Sequence, residues 1–409
     1  MKINIENLAI KLLYIVAAGI VVAQVLGMFS ISSLLFSCTF VMVLVFWVIV
    51  SSKRIGKINL LGAAIVILAF TSVLLNAMFT GTMISFGYMK KVIIFSSTIL
   101  FFVAASEMKV DIGNKIFIRR LIDLLIVFLI IMYFIQNRAM HILYGRVSNY
   151  LTFRFTNPNL TAIFLTSILL YKIITMLQKK YIVNKITDLV LIAFIIKFII
   201  ETRARNCMLV IVIFMVQMIV YIAMPKFKIF TKKVYAKCIA VLPLAFAVVY
   251  MLVIRIPVIN YIFSFLVSEG KDINSRHYLW SLSFDQISNS PIIGAYSQLS
   301  RGTGEFQMHN THIDIVSSYG VIVLVLVIIF LYSVLWKKIN RSTGRQDLLY
   351  SIAFASILMS GIGEAALFSG GLGIYIFAGL FLLLKGEKPT NEKNSVHKQL
   401  SDTSPNTIL

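Results

Sequence analysis

Charge is what this 409-residue sequence has least of: Asp, Glu, Lys and Arg together make up 13% of it, and 59% is hydrophobic. Soluble domains carry about 25% charged residues. That shortage leaves no room for a separate soluble domain. Cysteine is scarce as well. Cys38, Cys207 and Cys238 sit in or beside apolar runs without CxxC or similar spacing, which excludes a disulfide framework and a structural zinc site. There is no P-loop, no Rossmann glycine pattern and no Asp-x-Asp pair, so nucleotide-sugar chemistry has no visible anchor. The first apolar run lacks a small-x-small cleavage site and reads as a retained helix. No internal repeat is visible, which argues against a transporter built from two related halves.

What the sequence has in abundance is apolar runs of near-span length. Such a run satisfies its own backbone hydrogen bonds as a helix across a hydrocarbon core of roughly 30 Å. Twelve are expected, at 10–28, 31–50, 58–80, 91–106, 121–136, 159–177, 186–201, 206–224, 238–254, 313–336, 347–366 and 371–384. The fold class is therefore all-α and polytopic. Residues 1–384 form one integral membrane domain, and the polar, Ser/Asn/Thr-containing tail 385–409 is expected to be disordered.

The formal charge of +22 is read as topology rather than as a nucleic-acid signal. Connections at Lys53 to Lys57, Lys109 to Arg120, Lys179 to Lys185, Lys226 to Lys237 and Lys337 to Arg345 are basic and alternate with ones of opposite character. The positive-inside rule then puts these five and both termini in the cytoplasm. The stretch 255–312 becomes a long extracytoplasmic loop containing short amphipathic helices. Arg138, Arg146, Arg154, Arg203, Arg205, Arg255, Arg276 and Arg301 fall on that outer side, whereas the inner connections use mostly lysine. A guanidinium matches phosphate oxygens bidentately, so an anionic phosphate ligand outside is the functional reading. Pairing with Glu201, Glu269 or Asp272, or snorkelling to headgroups, is the bland one.

Three outer stretches carry chemistry. ETRARN, 201–206, puts Arg203 and Arg205 in a turn between two spans. SRHYLW, 275–280, begins an interfacial amphipathic helix with Arg276 near its start. MHNTHID, 308–314, follows a loop holding Arg301, Gly302 and Gly304, and offers His309 as a proton acceptor near neutral pH beside Asn310. A zinc reading of Glu305, His309 and His312 is disfavoured by the flanking glycines. Lys90 and Lys91 are phosphate contacts or snorkelling anchors; Glu364, in SGIGEAALF, can pair an arginine or orient a histidine.

FTNPN at 155–159, ETRARN before a span, SRHYLW followed by Pro-x-x-Gly, and HNTHIDIVSSYG running into a span occur in this order between Arg154 and Leu335. The combination resembles the Wzy polymerase and O-antigen ligase superfamily. That resemblance implies glycosyl transfer from a polyprenyl diphosphate carrier at the outer face of the cytoplasmic membrane, with no metal and no other cofactor. It puts His309, Arg205 and Arg276 at the reaction and Arg203, Asn310, Arg301, Lys90, Lys91, Arg154 and Glu364 around the substrate. The expected activity is polymerisation of lipid-linked oligosaccharide repeat units into surface polysaccharide. The alternatives are a ligase for finished polysaccharide and a transporter or flippase of an anionic lipid-linked glycan. Partners implied are the lipid-linked oligosaccharide, membrane lipid, and flippase and chain-length regulator proteins.

Overall fold

The computed structural model describes residues 5–384 apart from 54–55, 82–83, 85, 109, 144–145, 156, 180, 225, 254–255, 258–272, 296–307, 343 and 370–372. Arg255, Arg301 and the tail 385–409 therefore lie outside the described residues, as do the side chains of Arg138, Arg146, Arg276 and His277.

The chain is all-helical. In order it forms α1 (Ile5–Val25), α2 (Phe29–Lys53), α3 (Lys57–Thr80), α4 (Phe86–Glu107), α5 (Ile112–Ile135), the short α6 (Asn137–Met140), α7 (Pro158–Gln178), α8 (Ile182–Thr202), α9 (Arg205–Ala223), α10 (Lys233–Val253) and α11 (Ile273–Asn289). Then come α12 (Thr311–Asn340), α13 (Arg345–Met359), α14 (Ala366–Ser369) and α15 (Ile374–Leu383). A two-residue antiparallel pair, β1 (Ile142–Leu143) and β2 (Arg146–Val147), is the only strand pairing among the described residues.

Among the described residues, eight helices are long and apolar enough to cross a membrane: α1, α2, α3, α4, α7, α9, α10 and α12. The other four expected spans also coincide with helices, but α5 and α8 carry buried or flanking charges, and α13 and α15 are short. The expected span 347–366 is corrected by the structure. Its helix ends at Met359 and passes through a 3₁₀ turn, Ser360–Ile362, into a loop.

Packing follows from where the apolar surface is one-sided and where it is not. α7 is buried without interruption from Leu160 to Thr175, and α13 and α15 are almost wholly enclosed. α9 buries one stripe only, Cys207, Val210, Phe214 and Met218, at the three-to-four-residue spacing of one helix face. Its other faces leave Leu209, Val212, Val216 and Ile219 exposed, as α2 does with Leu34, Val41, Val45 and Val48. A continuous apolar exterior around an apolar core is what a multi-pass membrane protein presents to lipid.

α12 bends at Gly320, whose φ of 86° is in the left-handed region. A Cβ there would lie 1.8 Å from the Ile292 carbonyl oxygen, since Val321 N donates to the Pro291 carbonyl at 2.8 Å just beside it. Gly320→Ala is expected to cost more than the roughly 1–3 kcal/mol of left-handed strain alone. A lowered thermal midpoint of the detergent-solubilised protein is the measurement.

Candidate functional site

The residues singled out by sequence gather at one end of the bundle, and the segment that carries Glu364, expected as the end of a span, holds them together. That segment is the turn 360–364, SGIGE. Asn206, in the first turn of α9, donates to the Ser360 carbonyl at 2.7 Å. Asn310 donates to the Ile362 carbonyl at 3.1 Å, and Thr311 Oγ1 to the Glu364 carbonyl at 3.1 Å. Asn159, in the first turn of α7, donates to Glu364 Oε1 at 2.5 Å. The turn's glycines permit this crowding: a Cβ on Gly361 would meet Thr311 Oγ1 at 2.7 Å, and one on Gly363 would meet the Asn206 amide at 3.1 Å.

Each partner is aimed by local sequence. In FTNPN, Asn157 caps α7, its side chain accepting from Asn159 N at 2.8 Å, and Pro158 occupies the first helical position, where its missing N–H costs nothing. In HNTHI, Asn310 caps α12 by accepting from His312 N and Ile313 N at 3.0 and 3.1 Å, while its amide also donates to the Pro243 carbonyl at 2.9 Å. Asn310 is fully buried, and both ends of its amide are engaged within the protein. Asn310 thus caps α12 and ties its start to α10 and to the 360–364 turn.

His309 precedes that cap with φ 51°, a left-handed conformation uncommon outside glycine. Its ring stands with Nδ1 3.3 Å from Glu364 Oε2 and 3.4 Å from Oε1. The imidazole keeps 24% of its surface exposed while the Glu364 side chain keeps 1%. The backbone before it is pinned by α11, where Trp280 Nε1 donates to the Met308 carbonyl at 2.7 Å, and by Asp314, which accepts from Met308 N at 3.1 Å. Arg276 lies one helical turn before Trp280 on α11. His312 is buried, and neither of its ring nitrogens has a hydrogen-bond partner among the described residues.

The arginines differ from the lysines in their company. Arg205 is exposed at the start of α9, next to Asn206. Arg203 caps α8 in a left-handed conformation, φ 52°, with its guanidinium 5.7 Å from the Tyr150 ring centre. Arg154, also left-handed at φ 62°, donates to Gln136 at 3.2 Å, and its guanidinium lies over Gly27 at the end of α1. None of these three forms an ion pair with a described carboxylate. Glu201, the local partner that the sequence offered them, is instead held by the Tyr133 hydroxyl at 2.9 Å and lies 3.8 Å from both His141 and Lys197.

Lys91 is placed differently from the phosphate contact or snorkelling anchor expected of it. It is buried against Asp314, Nζ to Oδ1 2.8 Å, which neutralises it and ties α4 to α12. Lys90 is exposed and lies 5.6 Å from the Phe36 ring centre on α2. Sequence reasoning missed Asn159, Asn206 and Thr311 as partners of the 360–364 turn. A run of Ser, Gly and an acid inside an expected span was the available signal. No family model matches the chain, and neither does any curated protein or solved structure.

Proposed function

We propose that the protein is a twelve-span glycosyltransferase of the cytoplasmic membrane. On this reading both termini are cytoplasmic, the His309 end faces outward, and the enzyme joins polyprenyl-diphosphate-linked oligosaccharide repeat units into surface polysaccharide. The observation that carries it is the His309–Glu364 pair at the same end of the bundle as arginines that form no ion pair with a described carboxylate. The ordered resemblance from FTNPN to HNTHIDIVSSYG supports the same reading.

The chemistry follows from the two halves of that site. A sugar hydroxyl is a weak nucleophile unless its proton is removed as the bond forms. With Nδ1–H donated to Glu364, His309 presents Nε2 as the proton acceptor, and the buried carboxylate stabilises the imidazolium that results. The hydroxyl oxygen attacks the anomeric carbon of the lipid-linked donor, and the carbon–oxygen bond to the diphosphate breaks with inversion. The departing lipid diphosphate takes the bonding electrons, and Arg205 and Arg276 meet its charge, with Arg203 beside them.

Purified protein in liposomes, given lipid-diphosphate-linked repeat units and no nucleotide sugar, should produce a ladder of longer lipid-linked products. Transfer only to a different acceptor would make it a ligase; movement of intact substrate with no new glycosidic bond would make it a transporter. Within the same assay, Arg205→Lys should retain charge but lose bidentate geometry, and lower turnover by about tenfold or more. Full activity in that variant would remove Arg205 from the diphosphate site.

A further inference from the structure

The basic connections at the end of the bundle remote from His309 differ in how their charge is met. Lys53 pairs with Glu6 at 3.0 Å, Lys179 with Asp188 at 2.6 Å, and Lys337 and Arg341 with Glu107. The connection between α9 and α10 holds five lysines, Lys226, Lys228, Lys232, Lys233 and Lys237, and the sequence offers no Asp or Glu between Glu201 and Glu269. All five are exposed, and none forms an ion pair with a described carboxylate.

The turn that carries them has a fixed shape. Phe227 N donates to the Met224 carbonyl at 2.9 Å, Lys232 N to the Ile229 carbonyl at 3.0 Å and Tyr235 N to the Lys232 carbonyl at 3.1 Å. Between them Lys228–Thr231 forms a 3₁₀ turn, closed also by Thr231 Oγ1 on the Lys228 carbonyl at 2.8 Å. Phe230 points inward: it is buried, edge-on to Tyr221 and Tyr235, and the Tyr235 hydroxyl donates to Gln217 Oε1 at 2.9 Å. The other side faces out, and there Lys226, Phe227, Lys228 and Ile229 alternate charge with hydrocarbon. Phe227 and Ile229 are 46% and 39% exposed. Lys233 Nζ stands 5.6 Å from the Trp336 ring centre.

Ammonium groups that the chain leaves without carboxylates take their counter-charge from outside it, and the hydrocarbon between them tells from where. Ile222 and Met224, exposed at the foot of α9, continue the apolar exterior of that helix into Phe227 and Ile229. An acidic protein or a nucleic acid would have to cover this hydrocarbon with polar surface. A phospholipid monolayer meets both needs at once, taking the ring and the alkyl chain below its head groups and offering phosphates to the lysines beside them. Lysine, a compact point charge, suits a singly charged phosphodiester, which needs no bidentate fork.

We infer that the turn 226–233 is a seat for anionic phospholipid head groups, of the phosphatidylglycerol kind, in the leaflet opposite to the His309 end. Its lysines hold the phosphates, and Phe227 and Ile229 enter the hydrocarbon beneath them. The seat is independent of the chemistry at His309: α9, 19 residues long, keeps it about 28 Å from Arg205.

The test uses full-length protein in detergent, titrated with dioleoyl phosphatidylglycerol or dioleoyl phosphatidylcholine and read by native mass spectrometry. The first phosphatidylglycerol should be held about tenfold or more tightly than the first phosphatidylcholine. Lys228→Gln with Lys232→Gln should erase most of that preference, at about fivefold for each lysine. Both side chains are exposed, so the fold is left intact. Lys53→Gln, in a connection that meets a carboxylate of its own chain, should leave the preference unchanged. Phe227→Ser should weaken both lipids alike. Glycerol phosphate, which has the charge without the chains, should fail to displace phosphatidylglycerol at equal concentration. Equal retention of the two lipids, full preference in the double lysine variant, or an equal loss in Lys53→Gln would overturn the seat. Displacement by glycerol phosphate would overturn the lipid and put a soluble phosphate ester in its place.

Discussion

Replacing His309 with Ala should reduce turnover by about 10²–10⁴-fold, the usual contribution of a positioned general base, with little effect on substrate affinity. Folding should survive, because the imidazole is partly exposed. The more discriminating variant is Glu364→Gln. An amide in place of the carboxylate can still accept from Asn159, but its NH₂ would donate to Nδ1 and leave the proton on Nε2, the wrong tautomer for a base. Glu364→Gln should therefore lose nearly as much as His309→Ala. The double variant should lose hardly more than either single one, since the two residues act as a unit. Single-turnover kinetics on lipid-linked repeat units measure all three. Additive losses, or a His309→Ala enzyme of normal turnover, would remove the pair from the chemistry.

Much of the site was legible in the sequence because its signals are local. FTNPN and HNTHI announce helix starts through cap chemistry, and His309, Arg203 and Arg205 stand out as polar residues flanking long apolar runs. Apolar run length sufficed to place a helix at every expected span. What could not be read depends on contacts far apart in the chain. Lys91 looked like a surface cation until Asp314, 223 residues away, was found against it. The turn 360–364 looked like more helix because Ala, Leu, Ile and Phe surround it. Its role appears only when α7, α9 and α12 bring Asn159, Asn206 and Thr311 onto it. Asn310 shows a related ambiguity: a cap and a ligand-binding amide use the same residue type, and only burial separates them.

The largest stability effect is expected at the opposite end of the bundle, at Lys172. This lysine is fully buried on α7, about 9 Å before the end of that helix, with Nζ 2.6 Å from Asp123 of α5 and 2.5 Å from Asp188 of α8. Lys179, the residue just after that helix, also reaches Asp188 at 2.6 Å. Lys172 stays inside the bundle and joins three helices. Lys172→Met removes the shared cation and leaves Asp123 without a partner and Asp188 with half of its compensation. Breaking a buried pair from one side costs about 3–5 kcal/mol, whereas replacing all of it with apolar groups is often neutral. Lys172→Met should therefore strongly lower the unfolding midpoint in detergent, and Lys172→Met with Asp188→Leu should recover much of the loss. That recovery is the decisive readout, because a cavity or packing defect at position 172 would be made worse by the second substitution. If the double variant is less stable than the single one, the ion network is not what holds α5, α7 and α8 together.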